Sequence, residues 1–132
     1  MRVLRSKKAI AVLVSSVVAA GALAAVGISA VINQTVLADG ENIHYQVVRR
    51  VADGFDSGWH IHPGPAIVQV QQGSFEITQG SCTAKTVSAG DTFIEVPYLP
   101  VRAVATGRIA WTTTLYGRYE ENLLTPVTSP CP

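Results

Sequence analysis

The chain has 132 residues, of which 14% are charged, and its formal net charge is +1. Its length allows a single domain. Its charge lacks the basic footprint that nucleic-acid binding normally leaves, so no nucleic-acid partner is expected. The two cysteines have neither the spacing nor the neighbours of a zinc knuckle or a redox pair.

Residues 1–38 are predicted to form an export or anchoring segment. Four cations stand at positions 2, 5, 7 and 8, and the run Ala9–Ile32 contains no charged residue. As a helix rising about 1.5 Å per residue, this run is long enough to cross a hydrocarbon core of roughly 30 Å. The cations favour a cytoplasmic N-terminus, which places the following domain outside the cytoplasm. Small-residue patterns at 22–24 and 36–38 leave both outcomes open, a cleaved signal peptide and a retained membrane anchor.

Residues 39–125 are predicted to form a β-domain, followed by a proline-rich tail over 126–132. From residue 39 onward the chain carries six Lys and Arg against nine Asp and Glu, a net charge of −3. Runs typical of strands alternate with turn residues about every 8–12 positions, which indicates a sandwich or barrel. The fold class is therefore all-β, preceded by one hydrophobic helix. The predicted strands are 43–51, 58–62, 66–71, 75–78, 85–88, 92–96, 102–105 and 109–116.

Cys82 and Cys131 both fall in the part of the chain predicted to be exported. An oxidising compartment favours one disulfide between them, and this bond would tie the tail to a loop of the domain. Two free thiols are the alternative.

Two histidines in the second predicted strand share one of its faces. His60 and His62 are separated by one residue, and side chains alternate along a strand with period two. Both imidazoles therefore point to the same side, while Trp59 and Ile61 occupy the other. Two imidazoles aimed at one point inside a barrel are the beginning of a metal site.

Two segments resemble the conserved motifs of the cupins. The residues GWHIH at 58–62, followed by Gly73, are similar to the first motif, and AGDTFIEVP at 89–97 is similar to the start of the second. The sequence HIHPGP at 60–65 is similar to that of small single-domain bacterial cupins. The resemblance spans roughly residues 47–115 and implies a jelly-roll barrel of the double-stranded β-helix type. Homodimers are common in that family, so the resemblance also leaves a homodimer open.

The metal site that the resemblance implies is present only in part. The first motif would place a glutamate where this chain has Ala66, and the second would place a histidine where it has Arg102. Arginine stays protonated and offers no lone pair to a metal. His60 and His62 are left, with Glu95 as a carboxylate on the strand that leads into the second motif.

Three functions are open for such a site. In the first, the metal centre is degenerate and the barrel binds a carboxylate, phosphate or sugar acid through Arg102 and the two histidines. In the second, His60, His62 and Glu95 hold Zn²⁺, Ni²⁺, Cu²⁺, Fe²⁺ or Mn²⁺ in an enzyme of the oxygenase or isomerase kind. In the third, the histidines are hydrogen-bonded in a filled core. A small-molecule ligand is the partner expected in the first two.

Overall fold

The computed structural model describes residues 31–39, 44–118 and 120–132. The hydrophobic helix predicted over Ala9–Ile32 lies outside these ranges, except for its last two residues. The described chain consists of strands, turns and bends, so its fold is all-β. No membrane-spanning helix is found within these ranges.

Nine strands are formed by the described residues, and they belong to one curled sheet. In chain order they are β1 Val31–Asp39, β2 His44–Asp56, β3 His60–Ile61, β4 Ala66–Gln72, β5 Ser74–Gln79, β6 Lys85–Ser88, β7 Thr92–Glu95, β8 Val101–Gly117 and β9 Thr125–Pro126.

Strand β1 extends into the segment that the sequence analysis assigned to export or anchoring. It pairs antiparallel with β2, where Val31 lies opposite Ala52 and Asp39 opposite Gln46. The β-branched residues at positions 31, 32, 35 and 36 favour an extended chain, and the pairing with β2 supplies its backbone partners. The sheet therefore begins before Asp39, the predicted start of the domain.

Strand β8 determines how the sheet curls. It pairs with β2 along one edge, while its other edge pairs first with β5 and then with β4. The sequence predicts two strands here, but the structure has one continuous strand of 17 residues. The pairing with β2 shifts at Thr106 and Gly107, opposite Gly54, which adopts a φ of 73°. This local bulge bends the strand without ending it.

The barrel interior is apolar along most of its length. On β4, Val68 and Val70 are buried while Gln69 and Gln71 are exposed, which is the alternation expected of a strand with one face in the core. Phe55, Phe75 and Trp111 form an aromatic cluster with ring centroids between 4.7 and 5.8 Å apart. This cluster also forms one wall of the cavity described below.

The C-terminal residues, predicted as a proline-rich tail, fold back onto the barrel. Strand β9 pairs with β3, and the backbone N–H of Val127 donates to the carbonyl of Trp59 at 2.9 Å. Cys131 forms a disulfide with Cys82, which lies in the turn between β5 and β6. The last residues are thus fastened to the barrel at two separate places.

Loss of this disulfide is expected to destabilise the barrel by about 4 kcal/mol on the chain-entropy account, because the bond joins residues 49 positions apart. The measurement is urea unfolding of the double variant Cys82→Ser/Cys131→Ser beside the wild type. Reduced wild type is the control and should unfold at the same midpoint as the variant. Coincident midpoints for the oxidised and reduced wild type would contradict the expectation.

Candidate metal centre

The barrel contains a partly open cavity of about 140 Å³ with mostly apolar walls. This volume is close to that of an engineered protein cavity that binds benzene. The polar side chains in its wall include Gln34, Gln46, Arg50, His60, His62 and Glu95. This cavity contradicts the third alternative of the sequence analysis, in which the barrel has a filled core.

Three buried side chains meet at one point of this cavity wall. His60, His62 and Glu95 are each no more than 4% exposed, and their ligand-type atoms all lie within 4.8 Å of one another. The Oε2 atom of Glu95 lies 2.7 Å from Nε2 of His62 and 3.9 Å from Nε2 of His60. The structure thus brings together the three residues that the sequence analysis named as candidate metal ligands.

Backbone carbonyls orient both imidazole rings. Nδ1 of His60 lies 2.9 Å from the carbonyl of Gly58, and Nδ1 of His62 lies 2.5 Å from the carbonyl of Leu123. Because a carbonyl only accepts, each Nδ1 carries a hydrogen and donates it. In the neutral imidazole each Nε2 then has a lone pair on the side of Glu95, whereas in the protonated imidazole it carries a hydrogen there. A carbonyl behind the ring in this way is the usual support of a histidine that ligates a metal.

Glu95 takes the place of the glutamate that the motif would put at position 66. Ala66 and Glu95 are directly opposite each other in the antiparallel pair of β4 and β7. Directly opposite residues have Cβ atoms about 4.5–5.5 Å apart, so a carboxylate on β7 reaches nearly the same point as one on β4. The small side chain of Ala66 is fully buried and leaves room for it.

The geometry of this triad calls for a cation. Burial alone would raise the pKa of Glu95, but hydrogen bonds and charge from His60 and His62 in their protonated form outweigh burial and lower this pKa to about 2. The carboxylate is therefore ionised. Although Nε2 of His62 is only 2.7 Å from Glu95, it has no hydrogen-bond partner in suitable geometry among the described residues. A lone pair this close to a carboxylate is repelled unless a proton or a metal ion lies between them, so the donor set fits a metal.

The C-terminal residues take part in building this centre. Leu123 supplies the carbonyl behind His62, and Pro126 pairs with the backbone of His60. On the other side, the N–H of Tyr98 donates to the carbonyl of His62 at 2.9 Å and ties the loop after Glu95 to the histidine segment. Tyr98 adopts a φ of 59°, a conformation rare for a non-glycine residue. Ligands that are distant in the sequence are thus held by backbone contacts.

Arg102, the predicted anion-binding residue, does not lie in the cavity wall. Its neighbours Val101 and Ala103 are buried, and their alternation turns Arg102 outward, where its side chain is 41% exposed. Its guanidinium makes two hydrogen bonds to Asp56, and this contact lowers the pKa of Asp56 more than partial burial raises it. Glu95 lies beside the two histidines and not beside Arg102.

The contact between Arg102 and Asp56 supports the centre from outside. Asp56 also accepts the N–H of Gly58 at 2.9 Å, and Gly58 is the residue whose carbonyl holds His60. Next to it, the hydroxyl of Ser57 accepts the N–H of Ala103 at 2.8 Å. Arg102 therefore fastens the turn that orients the first histidine.

Arg50 is the cation that the sequence analysis overlooked. It lies in the cavity wall on β2, between the fully buried residues Val48 and Ala52. Burial lowers its pKa to about 10, although the charge of Glu95 raises it in part. The alternation of Val48, Arg50 and Ala52 on one face of a predicted strand was the signal in the sequence.

No protein-family model matches the chain, and neither does any curated protein. Several solved structures do. A protein with a double-stranded β-helix domain from Klebsiella pneumoniae is 20% identical, with a TM-score of 0.59 over 74% of this chain and 80% of that one. A cupin-like protein from Thermotoga maritima is 19% identical, with a TM-score of 0.61 over 73% and 75%. KdgF from Halomonas sp. is 22% identical, with a TM-score of 0.56 over 66% and 81%. At these identities the likeness establishes the fold, and it confirms the cupin resemblance at that level.

Replacing Glu95 by Gln is expected to weaken the dependence of the unfolding free energy on pH under acidic conditions. A glutamate in the unfolded chain titrates near 4.3, whereas the pKa of Glu95 in the folded protein is lowered to about 2. A lowered folded pKa adds stability that is complete above the unfolded pKa and is lost as the pH falls from about 4.3 to about 2. In urea unfolding with a chelator present, the wild type should lose stability more steeply than Glu95→Gln across this window.

The control for this measurement is Glu76→Gln, because Glu76 is exposed on β5. This variant should keep the wild-type dependence on pH. Parallel curves for the wild type and Glu95→Gln would show that the buried carboxylate contributes nothing to acid unfolding.

Proposed function

We propose that this protein, a small barrel of the cupin fold, holds one divalent transition metal on His60, His62 and Glu95 and presents it to a small molecule in the cavity. The observation that carries the proposal is the convergence of two imidazole nitrogens and one carboxylate at a buried point. Because both Nδ1 atoms are engaged by carbonyls, the rings are fixed for ligation before a metal arrives.

A metal at this centre would supply Lewis acidity and open coordination positions beside the cavity. Two imidazoles and one carboxylate are the donor set of non-haem Fe²⁺ oxygenases, and imidazole also suits Zn²⁺, Cu²⁺ and Ni²⁺. The chain itself keeps Glu95 ionised, lines one wall of the cavity with the aromatic cluster of Phe55, Phe75 and Trp111, and leaves about 140 Å³ for a ligand. These features favour an enzyme of the oxygenase or isomerase kind over a structural barrel.

The proposal places the barrel outside the cytoplasm, secreted or anchored by its N-terminal segment. Two observations support this location. The cations at positions 2, 5, 7 and 8 precede an uncharged run of 24 residues, from Ala9 to Ile32, which is typical of export or anchoring. The disulfide between Cys82 and Cys131 is of a kind that persists mainly in oxidising compartments.

The test is the metal content of the full chain, exported to an oxidising compartment and purified without a polyhistidine tag. Elemental mass spectrometry should find about one equivalent per chain in the wild type. His62→Gln and Glu95→Gln should each hold less than about a tenth of an equivalent, since a site with two remaining ligands is weak.

His44→Gln is the matched control, because His44 is the third histidine of the chain and does not belong to the cluster. It should retain the wild-type metal content. Less than a tenth of an equivalent in the wild type, even after incubation with Zn²⁺, Cu²⁺, Ni²⁺, Fe²⁺ and Mn²⁺, would overturn the proposed function.

A further inference from the structure

A second binding element lies in the same cavity wall, on strand β2. Arg50 faces the interior between Val48 and Ala52, which are both fully buried. Its Nε donates to Oε1 of Gln34, the residue opposite it on β1, at 2.8 Å. Among the described residues, no carboxylate lies within salt-bridge distance of its guanidinium.

Arg50 is half-buried, so its guanidinium has lost part of its contact with water. Moving a cation out of water costs free energy unless an anion or several hydrogen bonds replace the lost hydration. Gln34 supplies one neutral acceptor to Nε, and Glu95 is engaged by His60 and His62. The terminal nitrogens of Arg50 are thus suited to an acceptor that enters the cavity.

The charges at the proposed metal centre also favour an anionic ligand. A divalent metal held by one carboxylate and two neutral imidazoles retains one positive charge, and Arg50 adds a second. Two positive charges in a small apolar cavity attract an anion strongly, because the surroundings screen them little.

We propose that Arg50 anchors a small organic acid, a monocarboxylate with an apolar body of about four to six carbons, inside the barrel. This inference rests on the proposed metal centre for the ligand's position, but its own basis is Arg50. A planar carboxylate matches the donor fork of a guanidinium. The aromatic cluster of Phe55, Phe75 and Trp111 gives the hydrocarbon part an apolar wall, and the cavity volume sets its size.

Gln34 acts as a positioning residue in this arrangement. Its amide oxygen holds Nε and so fixes the plane of the guanidinium, which leaves the terminal nitrogens for the ligand. β1 thereby contributes to the binding site through a residue that the sequence analysis assigned to the N-terminal segment.

The probe is 3-methylbutanoate, and 3-methylbutanamide is its neutral counterpart of the same shape. Binding to the metal-loaded full chain is measured by calorimetry, and straight-chain acids of two to six carbons extend the series. The carboxylate should bind and the amide should not. Arg50→Gln should weaken carboxylate binding at least tenfold, because it removes a charge-assisted pair of hydrogen bonds.

Two controls separate this site from general charge effects. Arg49→Gln removes the exposed neighbour of Arg50 on β2, and Arg108→Gln removes an exposed cation that pairs with Asp53. Both should bind 3-methylbutanoate within about twofold of the wild type. If Arg50→Gln does not fold, Arg50→Lys keeps the charge but loses the planar fork, and it should still weaken binding.

The outcomes distinguish this inference from the proposed function. A wild type that holds one equivalent of metal but binds none of the acids would overturn the role of Arg50 alone. Equal affinity of the wild type and both Arg50 variants would do the same. In a third outcome, the wild type holds no metal but binds the acids, and Arg50→Gln does not bind them. This outcome would support the Arg50 site and overturn the metal centre.

Discussion

The other parts of the structure depend on one contact inside the apolar barrel. An ionised glutamate meets two imidazole nitrogens there. Glu95 is 4% exposed, and an ionised carboxylate at such depth is stable only beside positive charge. The rings cannot turn away, because carbonyls from two different parts of the chain hold their far sides. The cavity, the closing tail and the buried cation on β2 all adjoin this one electrostatic arrangement.

The sheet explains how a ligand set can change its sequence pattern and keep its place in space. Neighbouring strands of an antiparallel sheet bring opposite side chains to nearly the same point. A carboxylate can therefore move from β4 to β7 when its former position becomes alanine, as Ala66 and Glu95 illustrate. A motif read along one strand then appears incomplete, although the barrel brings two imidazoles and one carboxylate together.

Much of the fold and part of the site follow from the sequence. Period-two alternation and turn residues indicate the strands, and the spacing of His60 and His62 fixes their common face. The orientation of Glu95 does not follow, because Pro97 and Pro100 obscure the register beyond it. Arg102 was predicted to face the cavity because it stands where the second cupin motif has a histidine, whereas the buried residues Val101 and Ala103 set an alternation that turns it outward. The carbonyl of Leu123 is a contact across 61 residues, which no local pattern reveals.

The backbone support of His62 comes from a part of the chain that is made long after the histidine itself. During synthesis the ribosome produces the ligand segment first, and Leu123, Pro126 and Cys131 follow in that order. Until those residues have emerged and folded back, His62 lacks the carbonyl that orients it, and the tail lacks its covalent attachment. Order of synthesis thus delays formation of the buried cluster until the C-terminal residues have folded. A metal held there would be acquired only after that step, in the compartment where folding ends.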